Sequence, residues 1–347
     1  MSYKIGSFNM HNLGFSSLSS NNPRDLKTIA RIIKDEKFDI VGLQEVLSEG
    51  KAFIAPSNFK NNIIMELGGP NEWGFEWADA GNKDFEFSSS DPRGEGYAFV
   101  WNKKRIKLCE TKYIRHDGQI IKADFKPRML SINKEFMFRK PYYGRFMPRN
   151  GPNVEIRLIC VHTYFGANDN EADRLIRQRE LDILLKEIYP QIADKRYGDP
   201  MSAYTFVLGD YNAELITEES IKWQEERRKT LIKKPAVMKM DDMHGNVISL
   251  KYGGRVIHTV QDQLTTLKAK FDDDTEFEGN GYYSNYDHFS YDERTYKKDI
   301  TVKCERLRKA VSEYCAVGDN DLYKSDFEKY HKTISDHIPI FMEIDFI

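Results

Sequence analysis

The chain has 347 residues, of which 40% are hydrophobic, 13% aromatic and 31% charged, a composition typical of globular proteins with a buried core. The formal net charge is −2, from 52 basic and 54 acidic residues, so only a local basic surface would attract a polyanion. The N-terminal segment MSYKIGSFNM lacks the apolar stretch of a secretory signal, and no run reaches the roughly 20 apolar residues of a membrane span. We therefore expect a cytoplasmic protein that does not bind membranes.

The N-terminal part of the chain alternates between strand and helix patterns. A strand is predicted over residues 3–10. Asn22 and Pro23 then supply a helix cap and a first-turn proline for a helix over residues 26–36, whose apolar residues recur at helical spacing. A second strand over residues 38–46 completes a strand–helix–strand unit.

Later segments continue this mixture of strands and helices. Further strands are predicted over residues 95–102, 106–114, 154–165, 203–210, 286–291 and 337–346, and helices over about 170–188, 217–230 and 302–315. Strand patterns extend over the whole length without a fixed repeat or a Pro/Gly/Ser linker, which favours one domain over two. Local pattern alone predicts a mixed α and β fold.

The four cysteines contain no C-x-x-C spacing; they are Cys109, Cys160, Cys304 and Cys315. Cys160 lies inside an apolar strand pattern. This usage predicts reduced thiols rather than a disulfide framework or a zinc site.

Most of the predicted strands carry an acid, an amide or an imidazole where packing favours an aliphatic side chain. These residues are Asn9, Glu45, Glu95, His162, Asp210, Asn212, Asp287, His288, Asp336 and His337. Each alone has a structural explanation: Asn9 could be a turn residue, Asp336 a cap and His162 a hydrogen-bonded core histidine. Because the strands of a sheet bring their ends together, we expect the set to converge on one pocket.

The segment TFVLGDYNAEL ends an apolar strand on Asp210 and Asn212. Side chains at positions i and i+2 of a strand point the same way, so both would project together from its end. A turn in which an Asx side chain bonds nearby backbone is the alternative.

The chemistry that suits this residue set is narrow. Carboxylates and amides offer hard oxygen ligands to Mg²⁺ or Mn²⁺, and histidines beside carboxylates supply an acid and a base that titrate near neutrality. A divalent ion, an activated water and a protonated leaving oxygen are the needs of phosphoester hydrolysis.

Four motifs in chain order resemble the endonuclease/exonuclease/phosphatase superfamily, namely SFNMHNLG, GLQEV, GDYNAE and SDHIPI, and EGYAFVWN and VHTYF are similar to its deoxyribonuclease I-like branch. The resemblance spans essentially the whole chain. It implies an α/β four-layered sandwich, in which two mostly antiparallel β-sheets pack face to face with helices outside. It also implies one catalytic domain over residues 1–347, with decorating segments at about 217–283 and 292–334.

The same resemblance implies a metal site. Glu45 would hold Mg²⁺, with Mn²⁺ as the alternative, and Asn9 and Asp336 would lie in or near the metal shell. Asp210 and Asn212 would position the attacking water and the phosphate.

Two imidazole–carboxylate pairs are implied as the acid and the base. His337 would be oriented by Asp287, and His162 would pair with Glu95. Our working hypothesis makes His337 the base and His162 the acid, although the resemblance fits either order.

Three further residues are predicted phosphate or nucleic-acid contacts alongside Asn212. Arg139 matches an Arg-x-Pro segment of the deoxyribonuclease branch, with a solvated basic loop as the alternative, and Arg145 and His288 complete the group. Leu47 stands where the deoxyribonuclease has an Arg that enters the minor groove, and His288 stands where most members carry an Arg. These departures leave the substrate open.

Nucleic acid, DNA or RNA, is the predicted substrate, because basic and aromatic residues interleave in FRKPYYGRFMPRN and basic clusters recur at residues 226–234 and 294–309. A charged helix face is the alternative for the two later clusters. Two other functions stay open. One is a phosphatase or phosphodiesterase acting on phosphoinositides, sphingolipids or small phosphoesters, and the other is a binding protein without catalysis.

Overall fold

The structure is a computed structural model, and it describes residues 2–14, 24–47, 51–55, 62–79, 95–114, 117, 119–131, 137–166, 171–197, 201–217, 237–240, 242–244, 247–260, 265–267, 284–294, 302–306 and 324–345. Its strands are β1 (Ser2–Leu13), β2 (Ile40–Val46), β3 (Trp73–Asp79), β4 (Gly96–Asn102), β5 (Ile106–Leu108), β6 (Glu110–Ile114), β7 (Ile120–Asp124), β8 (Arg128–Met129), β9 (Tyr142–Pro148), β10 (Val154–His162), β11 (Ser202–Asp210), β12 (Glu214–Thr217), β13 (Val237–Met240), β14 (Asp242–His244), β15 (Val247–Tyr252), β16 (Arg255–Val260), β17 (Asp287–Asp292), β18 (Val302–Arg306) and β19 (Ile340–Asp345).

Among the described residues the helices are fewer than the strands. They are α1 (Leu26–Asp35), α2 (Lys51–Ile54), α3 (Ile63–Leu67), α4 (Glu171–Ile183), α5 (Tyr189–Asp194) and α6 (Lys324–Thr333), with a π-helical turn (Leu184–Ile188) between α4 and α5. Within the described ranges, no helix is both long enough and apolar enough to cross a membrane.

Two large sheets carry most of the strands. The first has six strands in the order β18-β19-β1-β2-β4-β3, and the second has nine in the order β14-β15-β16-β17-β11-β10-β9-β5, with β8 also paired to β9. Within them, β1–β2 and β10–β11 are parallel, whereas the other pairs are antiparallel. The predicted pair of mostly antiparallel sheets is therefore confirmed.

Three apolar clusters show how these elements are layered. One cluster, which includes Phe99 and Leu208, joins the inner faces of the two sheets. A second packs α1 and α6 on the outer face of the first sheet through residues such as Ile29 and Phe327. A third packs α4, the π-helical turn and α5 on the second sheet, with Leu181 at its centre. Helices thus cover both outer faces, as the predicted four-layered sandwich requires.

The central strands β10 and β11 are buried along most of their length because both of their faces are covered. Each of the nine residues of β10 is buried, including His162 at its end. The last six residues of β11 are also buried, up to and including Asp210. A polar side chain at the end of such a strand is therefore enclosed by protein and needs polar partners.

Several predicted elements differ from the structure. Asp25 caps α1 by accepting the N–H of Thr28 at 2.9 Å, and the predicted cap at residues 22–23 lies outside the described residues. The predicted strand 106–114 is two strands, β5 in the second sheet and β6 in a hairpin with β7.

The predicted helix over residues 302–315 is also wrong at its start. Residues Val302–Arg306 form β18, which pairs with β19 at the edge of the first sheet, and residues 307–315 lie outside the described part. Backbone pairing at a sheet edge outweighs the weak helical spacing of the charged residues in this segment. The predicted helix 217–230 begins where β12 ends and is otherwise outside the described part.

Candidate functional site

Three neighbouring strands of the second sheet meet at one edge with polar residues. His162 ends β10, Asp210 ends β11 and Asp287 begins β17, and the register places Asp210 directly between the other two. On each strand the residue two positions further into the sheet belongs to the cluster between the sheets. Because strand side chains alternate, all three polar side chains face the first sheet.

Gly209 makes this close alignment possible. Its backbone has φ 143°, and a Cβ at this position would lie 2.0 Å from the carbonyl oxygen of Val161. Only glycine combines such a conformation with such a close approach. The glycine of the GDYNAE motif therefore brings Asp210 alongside His162.

The first sheet contributes Asn9 from β1 and Glu45 from β2. The Asn9 Nδ2 donates to Glu45 Oε1 at 2.9 Å and to Asp210 Oδ2 at 3.0 Å, while its Oδ1 accepts the backbone N–H of His11 at 2.9 Å. Because carboxylate oxygens accept hydrogen bonds, the donor that faces Glu45 and Asp210 must be the amide nitrogen of Asn9. Asn9 thus supports Glu45 and Asp210 near the predicted metal shell, and its oxygen is already occupied.

Left-handed backbone is concentrated at this site. Non-glycine residues with positive φ here are Glu45 (54°), His11 (46°), Asn12 (57°) and Asn212 (45°). Among the described residues the one other such residue is Lys37. These conformations are sparsely populated. Those of Glu45, His11 and Asn12 occur where β1 and β2 shift register, whereas Asn212 follows the end of β11. The backbone N–H of Asn12 donates to Glu45 Oε2 at 2.8 Å, which holds the Glu45 carboxylate in the cleft.

His162 belongs to a buried chain of charged groups. Its Nδ1 bonds Glu95, and its backbone N–H donates to the hydroxyl of Tyr97 at 2.9 Å. Arg139 donates from Nε to Glu95 Oε2 at 2.7 Å and from Nη1 to the carbonyl of Thr163 at 3.0 Å. Arg139 therefore orients the Glu95–His162 pair, and those contacts engage its guanidinium within the protein.

The charged side chains next to His162 determine its protonation. Burial raises the pKa of the Glu95 carboxyl, but Arg139 and His162 together outweigh burial and lower that pKa to about 2. Burial and the Arg139 cation lower the pKa of His162, whereas the Glu95 carboxylate raises it, and the balance is a raised pKa. His162 therefore keeps its proton at pH values where an ordinary histidine loses it.

His337 forms the matching pair on the other side of Asp210. Its Nδ1 lies 2.8 Å from Asp287 Oδ2, and its Nε2 lies 3.6 Å from Asp210 Oδ2. The Nε2 of His162 lies 3.7 Å from the same oxygen. Two imidazoles, each held by its own carboxylate, thus face one carboxylate oxygen.

Asp210 is an acid whose pKa is raised, in contrast to the lowered pKa of Glu95. Burial raises the pKa of its carboxyl to about 6, although the two neighbouring histidines oppose the rise. Burial lowers the pKa of His337, but Asp287 and Asp210 outweigh burial and raise it well above its ordinary value. Strongly perturbed groups that share a cleft are typical of active sites.

Glu45 and Asp210 fit a divalent cation next to His162. One ligand atom from each of the three residues lies within 4.8 Å of those of the other two. The two carboxylates offer the oxygen ligands that Mg²⁺ and Mn²⁺ prefer, whereas His162, while it holds its proton, would face the ion without binding it. Asp336, the third predicted metal residue, groups instead with His11 and His331.

Asn212 follows the turn alternative for its motif. It lies beyond the end of β11, and its backbone N–H donates to Asp210 Oδ1 at 2.8 Å, which is the turn contact of an Asx side chain. The Asn212 Nδ2 donates to the carbonyl of Thr163 at 2.9 Å. The alternation argument for Asn212 is therefore wrong, while Asp210 makes the turn through one oxygen and faces the histidines through the other.

Two of the predicted phosphate contacts face away from the cleft, and the structure corrects both. Arg145 is 1% exposed, in the middle of β9, where it bonds Glu155. His288 is fully buried, bonds the carbonyl of Ala213 at 3.1 Å through Nε2 and packs against Tyr211. Strand alternation turns His288 to the opposite face from Asp287.

The interleaved basic and aromatic residues of FRKPYYGRFMPRN have a structural cause. Most of the segment is β9, and Tyr142, Tyr143 and Phe146 are core residues. Residues 142–148 of the segment are therefore a largely buried strand and not a nucleic-acid surface. The basic cluster at 226–234 lies outside the described residues, as does most of the cluster at 294–309.

Some supporting residues carried no clear sequence signal. Glu180 in α4 accepts the backbone N–H groups of Phe138 and Tyr164 at 2.5 and 2.6 Å, although it looks like one of many charged helix residues. Ser335 donates to the carbonyl of Asn9 at 2.7 Å and accepts the N–H of His337 at 3.1 Å. Its place in the SDHIPI motif is the signal that could have identified it.

Removing the Arg139 charge is expected to change the titration of His162. In metal-free protein, Arg139→Gln should raise the pKa of His162, because the guanidinium opposes the imidazolium. An NMR titration of the His162 ring measures this shift directly. The neighbouring Lys140→Gln variant is the control and should leave it unchanged. An unaltered or lowered His162 pKa in Arg139→Gln would contradict the assigned contact.

Comparisons with known proteins concern the family and the fold of the chain. A model of the Endonuclease/Exonuclease/phosphatase family matches residues 6–294. The fold is similar to truncated Caenorhabditis elegans TDP2, with 14% identity and a TM-score of 0.50 over 100% of this chain and 98% of that chain. ANGEL2, a 2',3'-cyclic phosphatase, has 14% identity and a TM-score of 0.47 over 99% of this chain and 95% of that chain. The Bacteroides thetaiotaomicron mannosyl-6-phosphatase Bt3783 has 14% identity and a TM-score of 0.46 over 99% of this chain and 100% of that chain. No curated protein shows a significant sequence match.

Proposed function

The chain belongs to the endonuclease/exonuclease/phosphatase family, and from that premise we propose that it is a Mg²⁺-dependent nuclease, with DNA as its first candidate substrate. Phosphoester hydrolysis is the reaction class of the family. The nucleic-acid substrate, the choice of Mg²⁺ and the endonucleolytic cut are the parts that we propose.

One observation carries the hydrolytic mechanism. The Nε2 atoms of His162 and His337 lie 3.7 and 3.6 Å from the same oxygen of Asp210, and each ring is held by a carboxylate through Nδ1. This arrangement offers one imidazole to each side of a phosphate bound next to Asp210. An acid and a base on opposite sides suit an in-line displacement at phosphorus.

In the proposed reaction His337 is the base and His162 is the acid. A cation bound to Asp210 would offset one of the two carboxylate charges that raise the pKa of His337, which would leave His337 free to accept a proton. His337 Nε2 takes a proton from the attacking water while the water oxygen forms its bond to phosphorus. The bond from phosphorus to the leaving oxygen breaks, and His162 Nε2 gives its proton to that oxygen. A divalent cation held by Glu45 and Asp210 would offset the negative charge of the phosphate. Glu95 keeps His162 protonated before the reaction.

Two features support a nucleic-acid substrate. The Glu95–His162 contact is the pair that the deoxyribonuclease-like motifs predict. Beside it, Phe138 stacks on Tyr164 with ring centroids 4.1 Å apart, and Phe165 is 42% exposed. Aromatic rings next to a phosphate site can stack against bases of any sequence.

A substrate panel tests the proposal. Purified protein is incubated with plasmid, linear duplex, single-stranded DNA and RNA, and separately with phosphoinositide or sphingomyelin vesicles and sugar phosphates, with Mg²⁺ or with EDTA. We expect cleavage of DNA that requires Mg²⁺ and is strongly reduced in Glu45→Gln. The exposed substitution Glu171→Gln is the matched control and should keep full activity.

Each other outcome of the panel contradicts part of the proposal. Phosphate or headgroup release from lipids or sugars without nucleic-acid cleavage would overturn the substrate. Cleavage that persists in EDTA would overturn the metal requirement. Failure to hydrolyse any phosphoester would favour a binding protein that keeps the fold without catalysis.

A further inference from the structure

A second cluster of possible metal ligands lies next to the catalytic cleft. His11 at the end of β1, His331 near the end of α6 and Asp336 before β19 each place a ligand atom within 4.8 Å of the other two. Asp336 Oδ1 lies 4.0 Å from the Nε2 of His337. The cluster therefore adjoins the catalytic histidine without including any of the residues that fit the Glu45 cation.

The backbone holds the two histidines at this spacing. Arg24 is buried and donates to the carbonyl of His331 at 3.2 Å through Nη1 and to the carbonyl of His11 at 2.9 Å through Nη2. The N–H of Asp25 donates to the carbonyl of Thr333 at 2.7 Å. One arginine thus fixes β1 against α6, so the ligands are arranged before any ion binds.

The side chains of His11 and Asp336 are already in contact. His11 Nδ1 lies 2.7 Å from Asp336 Oδ1, so the two atoms that would bind an ion are neighbours. An ion that enters here would replace this contact and would be shared by both atoms. Nδ1 of His11 is placed to share an ion with Asp336.

The donor atoms select the class of ion. Two imidazole nitrogens and one carboxylate oxygen suit Zn²⁺, Co²⁺ or Mn²⁺ better than Mg²⁺, which prefers oxygen. The side chains of His11 and Asp336 are 31% and 32% exposed, so an ion can enter and a water can take a fourth position. We propose that His11, His331 and Asp336 bind a transition-metal dication of the Zn²⁺ class, as a second site separate from the one at Glu45.

Co²⁺ is the probe for this site, because nitrogen-ligated Co²⁺ absorbs visible light. Metal-free protein, in excess Mg²⁺ to fill the Glu45 site, should bind one equivalent of Co²⁺ with a visible absorption band, and Zn²⁺ should displace it. His331→Ala should abolish the band. Lys332→Ala, one residue further along α6, is the matched control and should leave it unchanged.

Two further variants separate this site from the catalytic one. His11→Asn should also abolish the band, and asparagine tolerates the left-handed backbone of this position. Glu45→Gln should retain the band while losing Mg²⁺-dependent turnover, so failure of this inference is distinguishable from failure of the proposed nuclease. Far-UV circular dichroism and thermal melting establish that each variant is folded.

The proposal is overturned by any of three results. The first is a folded wild-type protein that binds no Co²⁺ in excess Mg²⁺. The second is an unchanged band in folded His331→Ala and His11→Asn. The third is loss of the band in folded Glu45→Gln, which would mean one joint site.

Discussion

Replacing His337 with glutamine is expected to lower turnover by about 10²–10⁴-fold, the usual contribution of a positioned acid or base. The ring is buried, bonds Asp287 at 2.8 Å through Nδ1 and faces Asp210 through Nε2. Glutamine keeps a donor for Asp287, so the carboxylate is not left unpaired, but it cannot accept a proton from water. Steady-state kinetics on the substrate that the wild-type protein cleaves measures the loss.

Two comparisons make this result specific. His162→Gln should cause a loss of similar size, and the double variant should lose less than the product of the two, because the residues act in one step. His258→Gln is the matched control: this histidine lies on β16 of the same sheet and bonds Ser249 at 2.8 Å, away from the cleft. Wild-type turnover in a folded His337→Gln protein would contradict the role assigned to His337.

Replacing Glu155 with glutamine is expected to lower the free energy of unfolding by about 3–5 kcal/mol, the cost of breaking a buried ion pair. Glu155 accepts hydrogen bonds from Arg145 Nε at 2.6 Å and from Arg157 Nε at 2.8 Å, and all three side chains are almost fully buried. The Arg145 guanidinium also lies 3.5 Å from the centre of the Tyr197 ring. Without the carboxylate, two buried cations face each other uncompensated. Urea denaturation measures the change.

An exposed ion pair is the control for that measurement. Glu110 and Lys122 lie 3.7 Å apart on the β6–β7 hairpin with more than half of each side chain exposed, and Glu110→Gln should change the unfolding free energy by less than about 1 kcal/mol. Equal effects of the two substitutions would contradict the buried-pair account.

The pH dependence of stability follows from the same carboxylate. Burial raises the pKa of Glu155, but its two arginine partners outweigh burial and lower it. An acid with a lowered folded-state pKa stabilises the protein above its ordinary pKa, and that stabilisation is lost as the pH falls through the folded-state value. The wild-type protein should therefore lose more stability than Glu155→Gln between neutral pH and the acid range.

The sequence was sufficient to predict that the polar site residues lie close together, because these residues lie at the ends of strands. His162, Asp210 and Asp287 interrupt or end apolar patterns, and pairing in one sheet brings such positions together. The strand pattern of β10 and β11 was clear because both faces are buried. Periodicity also identified α1, although the capping residue is Asp25.

Other features depend on contacts that one segment does not reveal. The interleaved residues of β9 looked like a charged surface, because Arg145 finds its partner Glu155 only when β9 pairs with β10. Simple alternation along β2 predicts the opposite face of the sheet for the Glu45 side chain. The left-handed backbone at Glu45, which lies at the register shift between β1 and β2, turns this side chain toward the cleft. The grouping of His11 with His331 requires α6 to lie against the end of β1, which Arg24 secures.

The position of β19 has a consequence for biosynthesis. Among the described strands this one comes last, it pairs with β1, and the segment just before it supplies Ser335 and His337 to the cleft. Because a polypeptide emerges from the ribosome N-terminus first, the cleft stays open and lacks one of its two imidazoles while translation continues. The cleft can therefore form only after this segment has been made and β19 has paired with β1.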